Sequence, residues 1–298
     1  MNSYLEASAR QRIAALFDAG SFEEFVPPSQ RVVSPHLGQL GAPVSFDDGV
    51  IVGRATLHGM PVFAAAQEGG FMGGAVGEVH GAKLVGMLKR AIGEQAQAVI
   101  LLLESGGVRL HEANAGLIAV SEVMRAVLDV RAAGIPVVVL IGGSNGCFGG
   151  MGIVARCANA VVMSEEGRLG MSGPEVIETA NGVEEFDSRD RALVWRTTGG
   201  KHRYLLGDCQ KIVADDIVAF RNAALEMAQA CRKQPVELTL QALEAEQRML
   251  AHRLQAYGEQ PDALQIWHSM GIPDAAAVPM LDTDEFNRLA AQHRQGAA

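Results

Sequence analysis

A chain of 298 residues that is 48% hydrophobic, only 20% charged and holds 34 glycines can bury a sizeable core and suits an α/β protein with many tight turns. Its formal net charge of −9 argues against nucleic acid as the main partner, because phosphate binding needs a basic face. Four cysteines without a C-x-x-C pair, and no apolar run near the roughly 18 residues of a membrane helix, leave a soluble protein with reduced thiols, expected in the cytoplasm.

In chain order, Met1–Arg12 lacks the apolar core of a signal peptide. Tyr4, Leu5, Ile13, Leu16 and Phe17 predict an amphipathic helix that ends at Gly20. Ser21 to Phe25 predicts a second short helical turn, with Ser21 as N-cap and Glu24 placed for a capping box. Prolines 27, 28, 35 and 43 make the next stretch extended and irregular. Val50–Leu57 and Pro61–Ala66 flank His58-Gly59-Met60 and read as a β-hairpin. Gly69–Gly81 then holds six glycines in thirteen residues and runs into a helix expected over Ala82–Ile92. This stretch reads as a flexible loop that closes on a ligand through Phe71, Met72, Gly73 and Gly74, or else as a plain glycine-rich connection.

Val99–Leu103 is an unbroken apolar run, long enough for a strand buried on both faces and too short for a helix. It meets Ser105-Gly106-Gly107, after which Leu110, Ala113, Leu117 and Val120 recur at helical spacing as far as Ala133. Pro136–Ile141 is a second buried strand, followed by a second glycine loop, Gly142 to Gly152, and a helix at Ile153–Cys157. Ala160–Ser164 is a third strand. Two strands that each turn through glycines towards a helix would place two sets of free N–H groups, and two helix dipoles, at one edge of a sheet. The plainer reading makes each glycine pair a tight turn and nothing more. Gly170–Val176 turns into a further helix with Pro174 near its first position, Thr179–Leu206 is polar and charged, and Leu205–Ile217 reads as a short strand and turn. The remainder is largely helical with breaks at Pro235, Pro261 and Pro273, and Gln292–Ala298 is expected to fray.

Convergent backbone amides are what a reaction needs when charge builds on a carbonyl oxygen. Acyl transfer through Ser105 lacks a G-x-S-x-G elbow. Cys147 could act from the second loop, although a small buried cysteine is the commoner state. His80, His111 and His202 show no metal-ligand spacing, and neither loop spells G-x-G-x-x-G. Thioester enolate chemistry remains, since it requires the oxyanion hole but neither metal nor nucleophile.

At these loops the chain resembles the carboxyltransferase branch of the crotonase superfamily. Ser105-Gly106-Gly107-Val108-Arg109-Leu110-His111-Glu112 is similar to the S-G-G-A-R-x-Q-E motif, and Phe71 to Gly77 with Gly81-Ala82-Lys83 to F-M-G-G-S-x-G…G-A-R. Phe148-Gly149-Gly150 resembles the second glycine pair, Gly170 to Glu178 the G-x-A-G-P-x-V-I-E stretch, and Arg10–Glu24 the family's first helix. The resemblance implies an α/β crotonase-like fold (a ββα superhelix) with helical N- and C-terminal extensions. The expected unit is one domain over 1–298, with a core of about 8–220 and a helical extension of about 221–298.

Lacking a zinc ribbon and a second such domain, the chain most resembles, within that branch, β subunits of biotin-independent decarboxylases of malonyl thioesters. That implies a γ subunit of related fold, a small acyl-carrier protein bearing a CoA-derived prosthetic group, and no biotin, metal or other cofactor bound directly. By position it implies an oxyanion hole at Gly106, Gly107, Val108, Gly149 and Gly150. His111 stands where the family has Gln and, with Cys147, is a candidate proton donor or pocket residue; Arg109, Glu112 and Asn114 are candidate structural ties. Arg189–Arg203 could dock the carrier or be a solvated face. A biotin-dependent acetyl-CoA carboxylase β subunit and a non-catalytic scaffold of such a complex are the alternatives.

Overall fold

Three apolar runs with both faces covered set the geometry of the chain. The computed structural model describes residues 2–234 and 239–295. Strands β1 (Glu23–Phe25), β2 (Val50–Leu57), β3 (Met60–Gln67), β4 (Val99–Leu102), β5 (Val137–Ile141), β6 (Ala160–Ser164) and β7 (Lys211–Val213) form one sheet whose spatial order is the chain order. The first three pair antiparallel, and β3 to β7 run parallel. The β2–β3 hairpin turns on His58 and Gly59, both at positive φ, and the Asp18 carboxylate accepts both of their N–H groups.

Alternate residues of the central strands face opposite layers. Val99, Leu101, Val137, Val139, Val161 and Met163 pack under α2 (Glu78–Gly93), α3 (Asn114–Ala132) and α4 (Gly149–Arg156). Ile100, Leu102, Val138, Leu140 and Val162 pack against a second layer. That layer takes in α1 (Ala9–Leu16), and α8 (Ile217–Lys233) covers the rest. Between these lie α5 (Pro174–Asn181), α6 (Arg191–Thr198) and α7 (Gly200–Leu205). The C-terminal helices α9 (Leu240–Tyr257), α10 (Ala263–Ser269) and α11 (Thr283–His293) follow. A third cluster joins Leu205 of α7 and Ile212 of β7 to Trp267 and Phe286. A sheet laid down strand by strand with its crossover helices on one face is the winding that the sequence resemblance implies.

Several local expectations change. Residues 23–25 form strand β1 rather than a helical turn, because the Ser21 hydroxyl bonds the Thr56 backbone of β2 instead of capping, and Glu24 pairs with Arg10. Helix α1 starts only at Ala9, where Ser8 and Gln11 form a capping box; Tyr4 instead stacks on Phe220 with ring centroids 4.1 Å apart. Helices α2 and α4 begin four residues earlier than their apolar periodicity suggests. The chain up to Gln295 is tied down, with Arg294 Nε donating to Tyr204 O and Gln295 N–H to Leu205 O; Pro235 and residues 296–298 lie outside the described residues.

Candidate functional site

Parallel pairing of β4 with β5 (Leu102 opposite Leu140) makes the chain leave the sheet twice side by side. Beyond the strands, Ser105 N–H donates to Gly146 O and Phe148 N–H to Ser105 O, each at 2.8 Å, so the two glycine loops are bridged to one another. They touch at their tips: a Cβ built on Gly149 would lie 3.0 Å from the Gly107 Cα. Gly149 sits at φ 58°, which glycine adopts freely, and it is the first residue of α4.

Hydrogen bonding sorts the five candidate positions. Gly106 N–H donates to Gly73 O, Gly107 N–H to Ser105 Oγ, and Gly149 N–H to Met171 O. Val108 and Gly150 N–H donate to no protein acceptor among the described residues. Each has a geometric cause. Val108 forms a parallel bridge with Val76, whose partners are Gly107 O and Arg109 N–H, so the amide of Val108 itself points away from Val76. Gly150 lies in the first turn of α4, where amides have no intrahelical acceptor and the helix dipole favours negative charge.

Only one of the two loops opens onto a helix. After Gly107 the chain makes a 3-10 turn at Leu110–Glu112, passes Ala113 at φ 45°, and enters α3 at Asn114. The helical spacing of Leu110 and Leu117 did not mark a core face: both are exposed, Leu110 by 85%. Leu110 and Met171 (68% exposed) instead surround the loops with apolar surface of the kind that partners cover.

Ties beneath the loop hold Val108 in place. Arg109 is fully buried, with Nη1 donating to both Asp48 carboxylate oxygens at 3.0 Å and to Glu112 Oε1 at 2.9 Å. Burial pushes the Glu112 carboxyl up, but hydrogen bonds from Ser34, the Glu78 N–H and Arg109 outweigh it and leave the pKa below the usual range. Phe71 stacks on the Arg109 guanidinium with 5.3 Å to the ring centroid. A Cβ at Gly74 would come 1.8 Å from Glu104 O. The 71–74 loop packs against the Ser105–Val108 turn, with Gly73 O accepting from Gly106 N–H and Met72 at φ 50°.

Cys147 is corrected out of the site. Its side chain lies in the core beneath α4 with no exposure, and burial pushes its thiol pKa far up. His111 is exposed on the 3-10 turn with no hydrogen-bond partner among the described residues. The Arg189–Arg203 stretch is mostly internal: Arg196 pairs with Asp262, Arg203 with Asp208, and Lys201 with Glu165. No three His, Cys, Asp or Glu side chains converge as a metal site among the described residues. Sequence reasoning missed Glu104, Arg12 and Asp48. An acid ending the apolar run of β4 was a signal for Glu104; the other two arrive from distant chain with none.

His80 lies in the same support, its Nδ1 donating to Asp48 O and its Nε2 accepting from Gln67. Burial, aided by the Arg109 charge, lowers its pKa to about 3, and burial does the same to His202. The unfolded chain takes up these protons near pH 6.5, the folded chain only near 3. Stability is thus complete above pH 6.5 and falls as pH drops towards 3, by about 1.4 kcal/mol per pH unit for each histidine. His80→Gln should therefore roughly halve the slope of unfolding free energy against pH between 6 and 5 in urea titrations; an unchanged slope would refute this.

Residues 6–231 match the family model described as the carboxyl transferase domain. A Malonomonas rubra protein named malonyl-S-ACP:biotin-protein carboxyltransferase is 40% identical over 304 residues, covering 95% of this chain and 94% of its own. The acetyl-coenzyme A carboxylase carboxyl transferase subunit beta of Fusobacterium nucleatum is 32% identical over 59% of this chain and 60% of its own. Among solved structures, a chain of a Pseudomonas malonate decarboxylase hetero-tetramer in complex with malonate superposes with a TM-score of 0.81 at 41% identity, covering 90% of this chain and 97% of that one.

Proposed function

This chain belongs to the carboxyl transferase family, and on that footing we propose that it is the β-type subunit of a malonate decarboxylase assembly. With a γ subunit of related fold it removes CO2 from malonyl thioester carried on the CoA-derived prosthetic group of an acyl-carrier protein. The observation that carries the reading is the pair of unbonded N–H donors, Val108 and Gly150, on touching loops. When the bond to the malonyl carboxylate breaks, its electrons pass into the thioester carbonyl and CO2 departs. Two fixed donors aimed at that oxygen lower the barrier most where its charge is greatest. The enolate carbon then takes a proton, for which exposed His111 is the candidate donor on this chain, and the acetyl thioester results. Gly106, Gly107 and Gly149 give the two donors room, and Phe71 to Gly74 brace the turn from behind. The exposed Leu110 and Met171 are the part of the rim that the γ subunit covers. A cytoplasmic setting, no biotin and a single domain with a helical C-terminal extension complete the proposal.

A second reading has one observation behind it: the name of the Malonomonas rubra relative gives a biotin protein as acceptor of the carboxyl group. One experiment separates the two. The complex purified with its co-expressed subunits is incubated with malonyl-acyl-carrier protein, with and without a biotinyl carrier and avidin. Equal yields of CO2 and acetyl-acyl-carrier protein that avidin leaves unchanged support decarboxylation. A carboxyl group arriving on the biotinyl carrier, with product loss under avidin, supports transfer. Neither product would overturn both.

A further inference from the structure

Glu104 follows β4 and immediately precedes the Ser105–Gly107 turn, yet its carboxylate reaches the other glycine loop. Oε1 accepts from Ser144 Oγ at 3.2 Å, from Asn145 N–H at 3.1 Å and from Asn145 Nδ2 at 3.0 Å, while Oε2 accepts from Arg12 Nη1. The side chains of Glu104 and Arg12 are both buried. Three glycines press on Glu104: a Cβ at Gly69 would stand 2.4 Å from Oε1, at Gly143 2.2 Å from Oε2, and at Gly74 1.8 Å from its carbonyl oxygen. Two loops, one carrying Gly69 and Gly74 and the other Gly143, are thus wrapped around one residue. Arg12 is itself fixed, with Nε donating to Tyr4 O at 2.8 Å and its guanidinium 4.5 Å from the Tyr4 ring centroid.

A buried ion pair is a poor source of stability, because apolar side chains of the same volume do as well or better. What apolar side chains cannot supply is a charged acceptor for three donors of the neighbouring loop. From Asn145 the chain passes through Gly146, bonded to Ser105, and reaches Gly150 five residues on. We propose that Glu104 is a positioning residue: held by Arg12, its carboxylate fixes the 144–146 segment against the 104–107 turn and so sets the separation of the Val108 and Gly150 N–H donors. This rests on the function proposed above.

The test compares two sets of changes in the complete complex. The double variant Arg12→Met/Glu104→Met removes the whole charge pair and strands no buried charge, so it is expected to fold. Its Tm should lie a few degrees below wild type, because the Ser144 and Asn145 donors and the Tyr4 carbonyl lose their partners. Its kcat is expected to fall by about 10²-fold, as for an ångström-scale misplacement, with KM nearly unchanged. Ser144→Ala/Asn145→Ala keeps the ion pair and the Asn145 N–H bond, and should lower kcat by about 10-fold. In both, hydrogen exchange should quicken in the peptides 104–111 and 145–151, and in the Arg12→Met/Glu104→Met variant also around Tyr4, whose carbonyl loses Arg12 Nε. A folded Met/Met variant with wild-type kcat, or unchanged exchange in those peptides, would overturn the proposal; so would a loss in which KM rises and kcat does not. Should the Met/Met variant fail to fold, the Ser144/Asn145 variant decides by the same readouts. If the wild-type complex does not turn over malonyl thioester, the function reading fails, and the exchange measurement still decides whether Glu104 clamps the loops.

Discussion

Replacing Val108 by proline should lower kcat for malonyl-thioester decarboxylation by about 10²–10³-fold, the effect of deleting one oxyanion donor. Val108 is the informative position because its N–H bonds nothing among the described residues, while the bridge to Val76 runs through Gly107 O and Arg109 N–H and survives the change. Gly107→Pro would confuse the question, since φ at Gly107 is 121°, out of proline's reach, and its N–H holds Ser105 Oγ. Gly150→Pro would bring a new Cβ to 2.5 Å from Val120 Cγ1 and so mix packing with catalysis. An amide-to-ester exchange at Val108 removes the same proton without restricting φ, and should reproduce the loss with little change in KM. Steady-state kinetics of the complex decide: wild-type kcat in the ester variant would make this chain a scaffold for a site built elsewhere.

Arg109→Met should destabilise the protein by about 3–5 kcal/mol, because it strands two carboxylates that the guanidinium neutralises. Asp48 and Glu112 are both fully buried where they meet Arg109, so solvent cannot take its place. For a chain of this size the melting temperature should fall on the order of 10 °C in thermal denaturation. The pH dependence carries a sign. Burial already holds the Asp48 carboxyl above the usual range, and without the Arg109 charge it is pushed further up, so the folded variant binds that proton more tightly than the unfolded chain. Its deficit against wild type should shrink as pH falls towards 5. A deficit that stays constant with pH would mean that lost packing, and not stranded charge, explains the effect. Lysine should not rescue, since one ammonium cannot reproduce the fork that spans Asp48 Oδ1, Oδ2 and O together with Glu112.

What was legible in the sequence was local. Val99–Leu103, Pro136–Ile141 and Ala160–Ser164 announced β4, β5 and β6 by unbroken apolar character, and the glycine pairs after the first two marked where the chain turns out of the sheet. Which amides are free was not legible, because the acceptors that occupy Gly106 and Gly149 N–H are the carbonyls of Gly73 and Met171, more than twenty residues away. The helical spacing of Leu117 and Val120 announced α3, but Leu110 falls before it on a 3-10 turn and, like Leu117, faces outward. Ser21 to Phe25 has the composition of a capped turn, and pairing with β2 overrides it. Asp48 and Arg12 join the site through contacts 61 and 92 residues apart in sequence, where periodicity carries no information.

Because strand order equals chain order, each new strand meets its neighbour as soon as it emerges during synthesis, and the sheet can grow in one direction without waiting for distant chain. The layer beneath it cannot. Tyr4 stacks on Phe220, Ser3 and Leu5 bond Asp215, and Ile217 N–H reaches back to Asn2 O. The first helix meets β2 and β3 early, but it lacks its α8 partner until more than two hundred residues have been made. Assembly is vectorial on one face and a ring closure on the other, and Arg12 of that late-closing helix is the residue that grips Glu104. The edge that carries the two glycine loops thus rests on a layer that closes only when the two ends of the core meet.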